Sequence, residues 1–134
     1  VKIVIDSYAW IELFKGSIAG NKVKEIMENA EALYTPDIVL AEVARKYFRE
    51  GTEEKIITAR LELICANSNI INLDSVLACE SAKCYRDLSE QAQKMRLNTP
   101  SLFDAIILAA ARIFNGKILT GDQHFKSLHE TVWL

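Results

Sequence analysis

Four carboxylates in this chain stand where a charge is hard to keep. Asp104 is the one polar residue between Leu102 and Ala111, in a run that is otherwise entirely apolar. A helix apolar on every side is a buried helix, and a charge inside one is costly unless it is paired or holds a metal ion. Glu42 is likewise the only polar residue from Ile38 to Ala44. Asp6 directly follows the apolar run Ile3-Val4-Ile5, and Asp122 follows Lys117-Ile118-Leu119-Thr120-Gly121. Carboxylates gathered away from water raise one another's pKa, and desolvation adds to the effect. A hard divalent cation reverses that balance. Oxygen donors without a histidine or cysteine set point to Mg²⁺ or Mn²⁺, not zinc. Such a site suits phosphodiester hydrolysis. Ser7 and Thr120 lie beside two of the acids, with hydroxyls suited to orienting a carboxylate or a water.

The elements that must bring these acids together can be read from periodicity and caps. Lys2 to Ile5 is a short, β-branched, buried strand. Tyr8 to Phe14 follows as a short helix stopped near Gly16, and Ser17 to Asn29 is amphipathic. Ala32 to Tyr34 is a second strand. Thr35 then caps a helix with Pro36 at its first position, running to about Glu50 with Gly51 at its C-terminal cap. Thr52 caps another helix through about Cys65, with Glu53 and Glu54 in the first turn, where the helix dipole favours them. Ile70 to Leu73 is a third strand, and Asp74 or Ser75 caps a long helix to about Met95. Thr99-Pro100 opens the buried helix, which ends near Asn115-Gly116. Lys117 to Thr120 is a fourth strand and Thr131 to Leu134 a fifth.

Strands separated by helices predict a three-layer α/β/α fold around a short, mainly parallel sheet, as a single domain over residues 1–134. In such sheets ligands bind at the C-terminal ends of the strands, where the following helices begin. All four acids fall at that edge. Each also has a structural alternative: Asp6 as a helix cap, Asp104 in a Ser101-x-x-Asp104 capping box, Glu42 paired with Lys46, Asp122 as a turn residue. Convergence of the four placements favours one shared site. Asp74 also follows a strand but directly precedes a helix, and reads as an N-cap. His124 and His129 lack metal-ligand spacing and read as turn or surface residues. Lys15, Arg45, Lys46, Arg49, Lys94, Arg96 and Arg112 are candidates for phosphate contacts.

With 134 residues, half of them hydrophobic, the chain can build a real core. No apolar run approaches the ~20 residues of a membrane span, and Val1 leads into the first strand without the h-region of a signal peptide. The three cysteines, an odd number without Cys-x-x-Cys, suit reduced thiols in the cytoplasm. A net charge of −2 does not advertise nucleic-acid binding. With four carboxylates taken up by a cation, however, the remainder is net positive, and a local basic rim is compatible with the composition.

Taken together, Ile3-Val4-Ile5-Asp6-Ser7-Tyr8-Ala9-Trp10-Ile11-Glu12, Pro36-x5-Glu42-Val43, Phe103-Asp104-Ala105 and Leu119-Thr120-Gly121-Asp122-x-His124-Phe125 resemble a PIN domain. More narrowly, they resemble the VapC-type toxins of prokaryotic toxin–antitoxin pairs. The resemblance spans nearly the whole chain. It implies a Mg²⁺- or Mn²⁺-dependent endoribonuclease whose catalytic acids match Asp6, Glu42, Asp104 and Asp122, with Asp6, Asp104 and Asp122 as metal ligands and Ser7 and Thr120 in support. It further implies RNA as substrate, a cognate antitoxin that blocks the site, and a homodimer. A basic residue frequent in the family before the last acid is Gly121 here.

Two other readings fit the sequence less well. A phosphotransfer domain of the receiver or dehalogenase-like kind needs a second acid next to or two residues after the first, and Ser7 and Tyr8 stand there. A non-catalytic RNA-binding or protein-interaction module that retains the fold is disfavoured by the survival of all four acids.

Overall fold

The direction of chain travel decides the architecture. The computed structural model describes residues 1–134 and contains five strands: β1 (Lys2–Ile5), β2 (Ala32–Pro36), β3 (Asn69–Ile71), β4 (Lys117–Thr120) and β5 (Thr131–Trp133). They form one sheet in the order β3-β2-β1-β4-β5, and every pairing is parallel. Helices α1 (Ser7–Lys15) and α2 (Ile18–Asn29) carry β1 to β2, and α3 (Asp37–Arg49) and α4 (Glu54–Asn67) carry β2 to β3 in the same direction. Helices α5 (Ser75–Lys94) and α6 (Leu102–Phe114) return the chain the other way, from β3 to β4. Right-handed crossovers place helices of opposite travel on opposite faces. The contacts follow: α1 packs on α2 and α3, α3 on α4, and α5 on α6. This is the expected three-layer α/β/α fold, with a wholly parallel sheet.

The buried face of α6 is the centre of the core. Every residue from Ala105 to Ala111 is buried, against Ile3, Val4 and Ile5 of β1 among others. Leu102, at the first turn, is 56% exposed, so the all-round burial starts after Asp104. No helix is long and apolar enough to cross a membrane.

Three helix starts and the bounds of β2 and β3 differ from the sequence reading. Thr35 does not cap α3. It is a fully buried strand residue paired with Ile70. Its hydroxyl accepts from Trp10 Nε1 at 3.1 Å and donates to Ser68 Oγ at 2.8 Å, because the Ser68 proton is used on the Ile64 carbonyl. These tertiary partners outweigh a local capping preference. Thr52 closes the preceding helix instead, its N–H donating to the Tyr47 carbonyl, and Glu53 takes the N-cap position of α4. The buried helix opens at the Ser101 cap, not at Thr99-Pro100. β3 stops at Ile71 because its partner β2 ends at Pro36; beyond this, the Leu73 N–H turns to the Asp37 carboxylate.

The α1–α2 hairpin is closed tightly at Gly20, where a Cβ would overlap the carbonyl of Glu12. In an open helix alanine is preferred to glycine by about 1 kcal/mol; here the order reverses. Gly20→Ala is expected to destabilise by about 1–3 kcal/mol, as overpacking does, lowering Tm by several degrees in thermal unfolding. A Tm equal to or above the parent's would show that the hairpin gives way at no cost.

Candidate active site

β1 and β4 are neighbours in the sheet, yet the chain leaves them toward opposite faces. That divergence opens a crevice at their C-terminal ends, and the acids gather there. Asp6 follows β1 and caps α1, with Oδ1 accepting from the Ala9 N–H at 2.9 Å. Its Oδ2 accepts from the Thr120 hydroxyl at the end of β4. Thr120 Oγ1 in turn accepts from the Asp122 N–H at 2.9 Å. Asp122 Oδ1 accepts from the His124 N–H at 2.9 Å and caps the short 3-10 turn Gln123–Phe125. Asp104 closes the capping box of α6: Oδ2 accepts from the Ser101 N–H at 2.9 Å, and Ser101 Oγ accepts from the Asp104 N–H at 3.1 Å. Glu42 comes from the second turn of α3 and is half-buried. All four acids line one cleft of about 340 Å³, together with Ser7, Lys15 and Lys46.

Charge is held there under strain. Burial drives the Asp6 carboxyl up to about 7, against the hydrogen bonds from Thr120 and Ala9 and with help from Asp122 and Glu42. Burial also drives Glu42 up to about 7, with Asp104 and Asp122 adding to it and Arg45 opposing. Asp104 is raised mainly by burial, against its backbone hydrogen bond from Ser101. A donor set of this kind fits a divalent cation, whose charge would offset both the burial and the mutual repulsion that disfavour the ionised carboxylates.

His124 lies in the 3-10 turn, as the sequence reading has it, but its ring also belongs to the cluster. Its Nε2 lies 2.7 Å from the Asn98 carbonyl, which only accepts, so that nitrogen carries a proton. Its Nδ1 lies 3.1 Å from Asp122 Oδ1 and 4.0 Å from Asp104 Oδ2. Burial pulls the imidazole pKa down, but the Asn98 carbonyl and the two carboxylates outweigh it and hold the pKa above its usual value. Donor atoms of Asp104, Asp122 and His124 lie within 4.8 Å of one another, a nitrogen within an otherwise all-oxygen set. The two-residue spacing from Asp122 was the one local signal for this placement.

The basic candidates divide. Lys15 and Lys46 flank the cleft, 3.7 Å from Glu12 and 3.6 Å from Glu50 respectively. Lys46 therefore pairs with Glu50, not with Glu42. Arg112 is engaged elsewhere, 2.8 Å from Asp87 and 2.9 Å from Glu130. Arg49, Lys94 and Arg96 do not line the cleft.

A family model described as the PIN domain matches residues 3–130. No match is found among curated protein sequences. Several solved structures share the fold. A toxin–antitoxin complex from Klebsiella pneumoniae aligns with 23% identity over 97% of this chain and 95% of that chain, with a TM-score of 0.65. DNA-bound VapBC from Salmonella typhimurium aligns with 15% identity over 100% and 97%, with a TM-score of 0.72. A Sarcin-Ricin loop cleaving toxin from Mycobacterium tuberculosis aligns with 16% identity over 95% of each chain, with a TM-score of 0.62.

Asp6 and Glu42 have ordinary values of 3.8 and 4.5, and about 7 in the fold. The folded state thus holds protons that the unfolded chain releases. Their stabilising share is complete below about pH 4 and is lost as pH rises through about 7, and the raised His124 acts in the same direction. Mn²⁺ is expected to raise Tm more at about pH 8 than at about pH 5. Asp6→Asn, which keeps the cap on α1, should raise the metal-free Tm at the higher pH and lose the Mn²⁺ response. Thermal scans that show the variant less stable than the parent at the higher pH would remove the repulsion from the account.

Proposed function

The chain belongs to the PIN domain family, and on that premise we propose that it is a Mg²⁺- or Mn²⁺-dependent endoribonuclease, the toxin of a VapBC-type toxin–antitoxin pair. The observation that carries this reading is the convergence of Asp6, Glu42, Asp104 and Asp122 on one cleft, where burial, with repulsion between the acids added to it, raises the pKa values of Asp6, Glu42 and Asp104. The toxin assignment draws its support from relatives that are themselves toxins or toxin–antitoxin complexes and that this chain spans almost end to end. In this reading residues 1–134 act as a single catalytic domain in the cytoplasm, pairing as a homodimer and held in check by a cognate antitoxin seated over the cleft.

Asp6, Asp104 and Asp122 would hold the cation, with His124 beside them. The bound ion supplies polarisation of the phosphate and a lowered pKa for the attacking water. The remaining work falls to the chain's own groups. Glu42, half-buried on the cleft wall, takes up a proton at its carboxylate as general base. Thr120 fixes the Asp6 carboxylate while accepting from the Asp122 backbone, and so locks two acids in one register. Ser7 lies beside Asp6 at the start of α1 and supports it from the cleft wall. Lys15 and Lys46 contact phosphates, which positions a strand without reading its sequence.

Asp104→Asn preserves an acceptor for the Ser101 capping box while removing the charge. Incubated with labelled single-stranded RNA and Mn²⁺, it is expected to cleave at least about 100-fold more slowly than the parent, and EDTA should abolish cleavage by the parent. Equal cleavage by both proteins would assign the activity to a contaminant. Absence of Mn²⁺ binding in calorimetry would remove the metal site and the nuclease with it.

A further inference from the structure

The cleft wall carries an aromatic side chain that neither the acids nor the core use. Four apolar residues line the cleft: Tyr8, Ile11, Ile107 and Phe125. Ile11, Ile107 and Phe125 are core residues, 7%, 2% and 1% exposed, that show only an edge to the cleft. Tyr8 is different: it stands in the first turn of α1, two residues after Asp6, and is 41% exposed. A ring left in water at that level contributes little to folding.

What the ring does have is a seat made for it. Gly121 lies between Thr120 and Asp122, and a Cβ there would run into Cε1 and Cζ of Tyr8. The backbone gives no other reason for glycine, since Gly16 and Gly51 are the glycines with positive φ and Gly121 is not among them. The ring thus rests on the β4 turn, held between the segments that carry Asp6 and Asp122, with its open part toward the cleft.

We propose that Tyr8 is a substrate-binding residue that stacks on one unpaired nucleobase next to the scissile phosphate. This rests on the nuclease reading of the cleft and deepens it by naming single-stranded RNA as the form bound. Every base has a π face, so a lone ring beside the phosphate site takes any unpaired nucleotide. A base in a duplex is already stacked on both faces and cannot offer one. Lys15 and Lys46 on the same cleft supply the backbone contacts that place the base over the ring.

The test is a cycle between side chain and base. A single-stranded RNA oligonucleotide that the parent cleaves is made again with one abasic nucleotide at each position flanking the cut. On the complete oligonucleotide Tyr8→Ala should raise KM by about 5- to 150-fold, the worth of one base–aromatic stack, with a much smaller change in kcat. Tyr8→Phe, which keeps the ring, should restore KM, and Tyr8→Leu, which fills space without one, should not. At one abasic position the parent should suffer the same rise, and Tyr8→Ala should add nothing to it. Circular dichroism and Tm identify any variant that has lost the fold, and the Phe–Leu contrast then carries the comparison. An unchanged KM in Tyr8→Ala overturns the stack and leaves the ring as a surface for a protein partner. Equal KM for the Phe and Leu variants, or penalties that multiply at every abasic position, overturn it as well. A parent protein that neither binds nor cleaves a mixed-sequence RNA pool overturns the nuclease reading itself, a result distinct from the failure of the stack.

Discussion

A carboxylate almost cut off from water sits at the point where the strand order reverses, and the rest of the molecule is built around keeping it there. Asp6 is 5% exposed. Its neighbours are dictated by topology: β1 is flanked by β2 and β4, and only the β4 side faces the divergence of the two helical layers. The Ala9 amide and the Thr120 hydroxyl meet its two oxygens. Helix N-termini add partial positive charge at the same edge, favourable to Asp6 and Asp104 alike. These terms do not cancel the cost of burial and repulsion. The remainder appears as raised pKa values on three acids of the cleft.

The same geometry explains why four acids could be found by eye while their roles could not. Capping for Asp6 and Asp104, and a turn role for Asp122, looked like explanations competing with site formation. In the structure they coincide, because a carboxylate that accepts one backbone N–H keeps further lone pairs for other partners. Asp74 is the informative contrast. It caps α5 as well as Asp6 caps α1, accepting from the Leu77 N–H at 2.9 Å, yet it lies outside the cleft. The difference is strand order. Asp74 follows β3 at the sheet edge, and nothing local in the sequence distinguishes an edge strand from a central one.

Other features were illegible for a related reason: their causes are partners distant in the chain. His124 is the turn residue it looked like, but its place among the acids depends on the loop before α6, which supplies the Asn98 carbonyl for its second nitrogen. Thr35 carries a sound local capping signal, which yields to a buried indole from α1 and a serine after α4. Arg112 resembled a phosphate contact and is instead held by Asp87 of α5 and Glu130 before β5. By contrast, the apolar strand cores, the Asp74 cap and the long burial of α6 follow from short-range pattern, and the sequence reading placed them well.

The hydrogen bond from Thr120 to Asp6 joins residues 114 positions apart in the chain. That span has a meaning during synthesis. Domains fold as their residues emerge from the ribosome, and the first strand waits for its second neighbour until Lys117–Thr120 has been made. Until then Asp6 has neither the Thr120 hydroxyl nor the Asp122 and His124 turn beside it. A nascent or truncated chain therefore carries the first acid without the rest of its site. The cleft is assembled only once β4 and the turn after it have been made, a timing imposed by strand order.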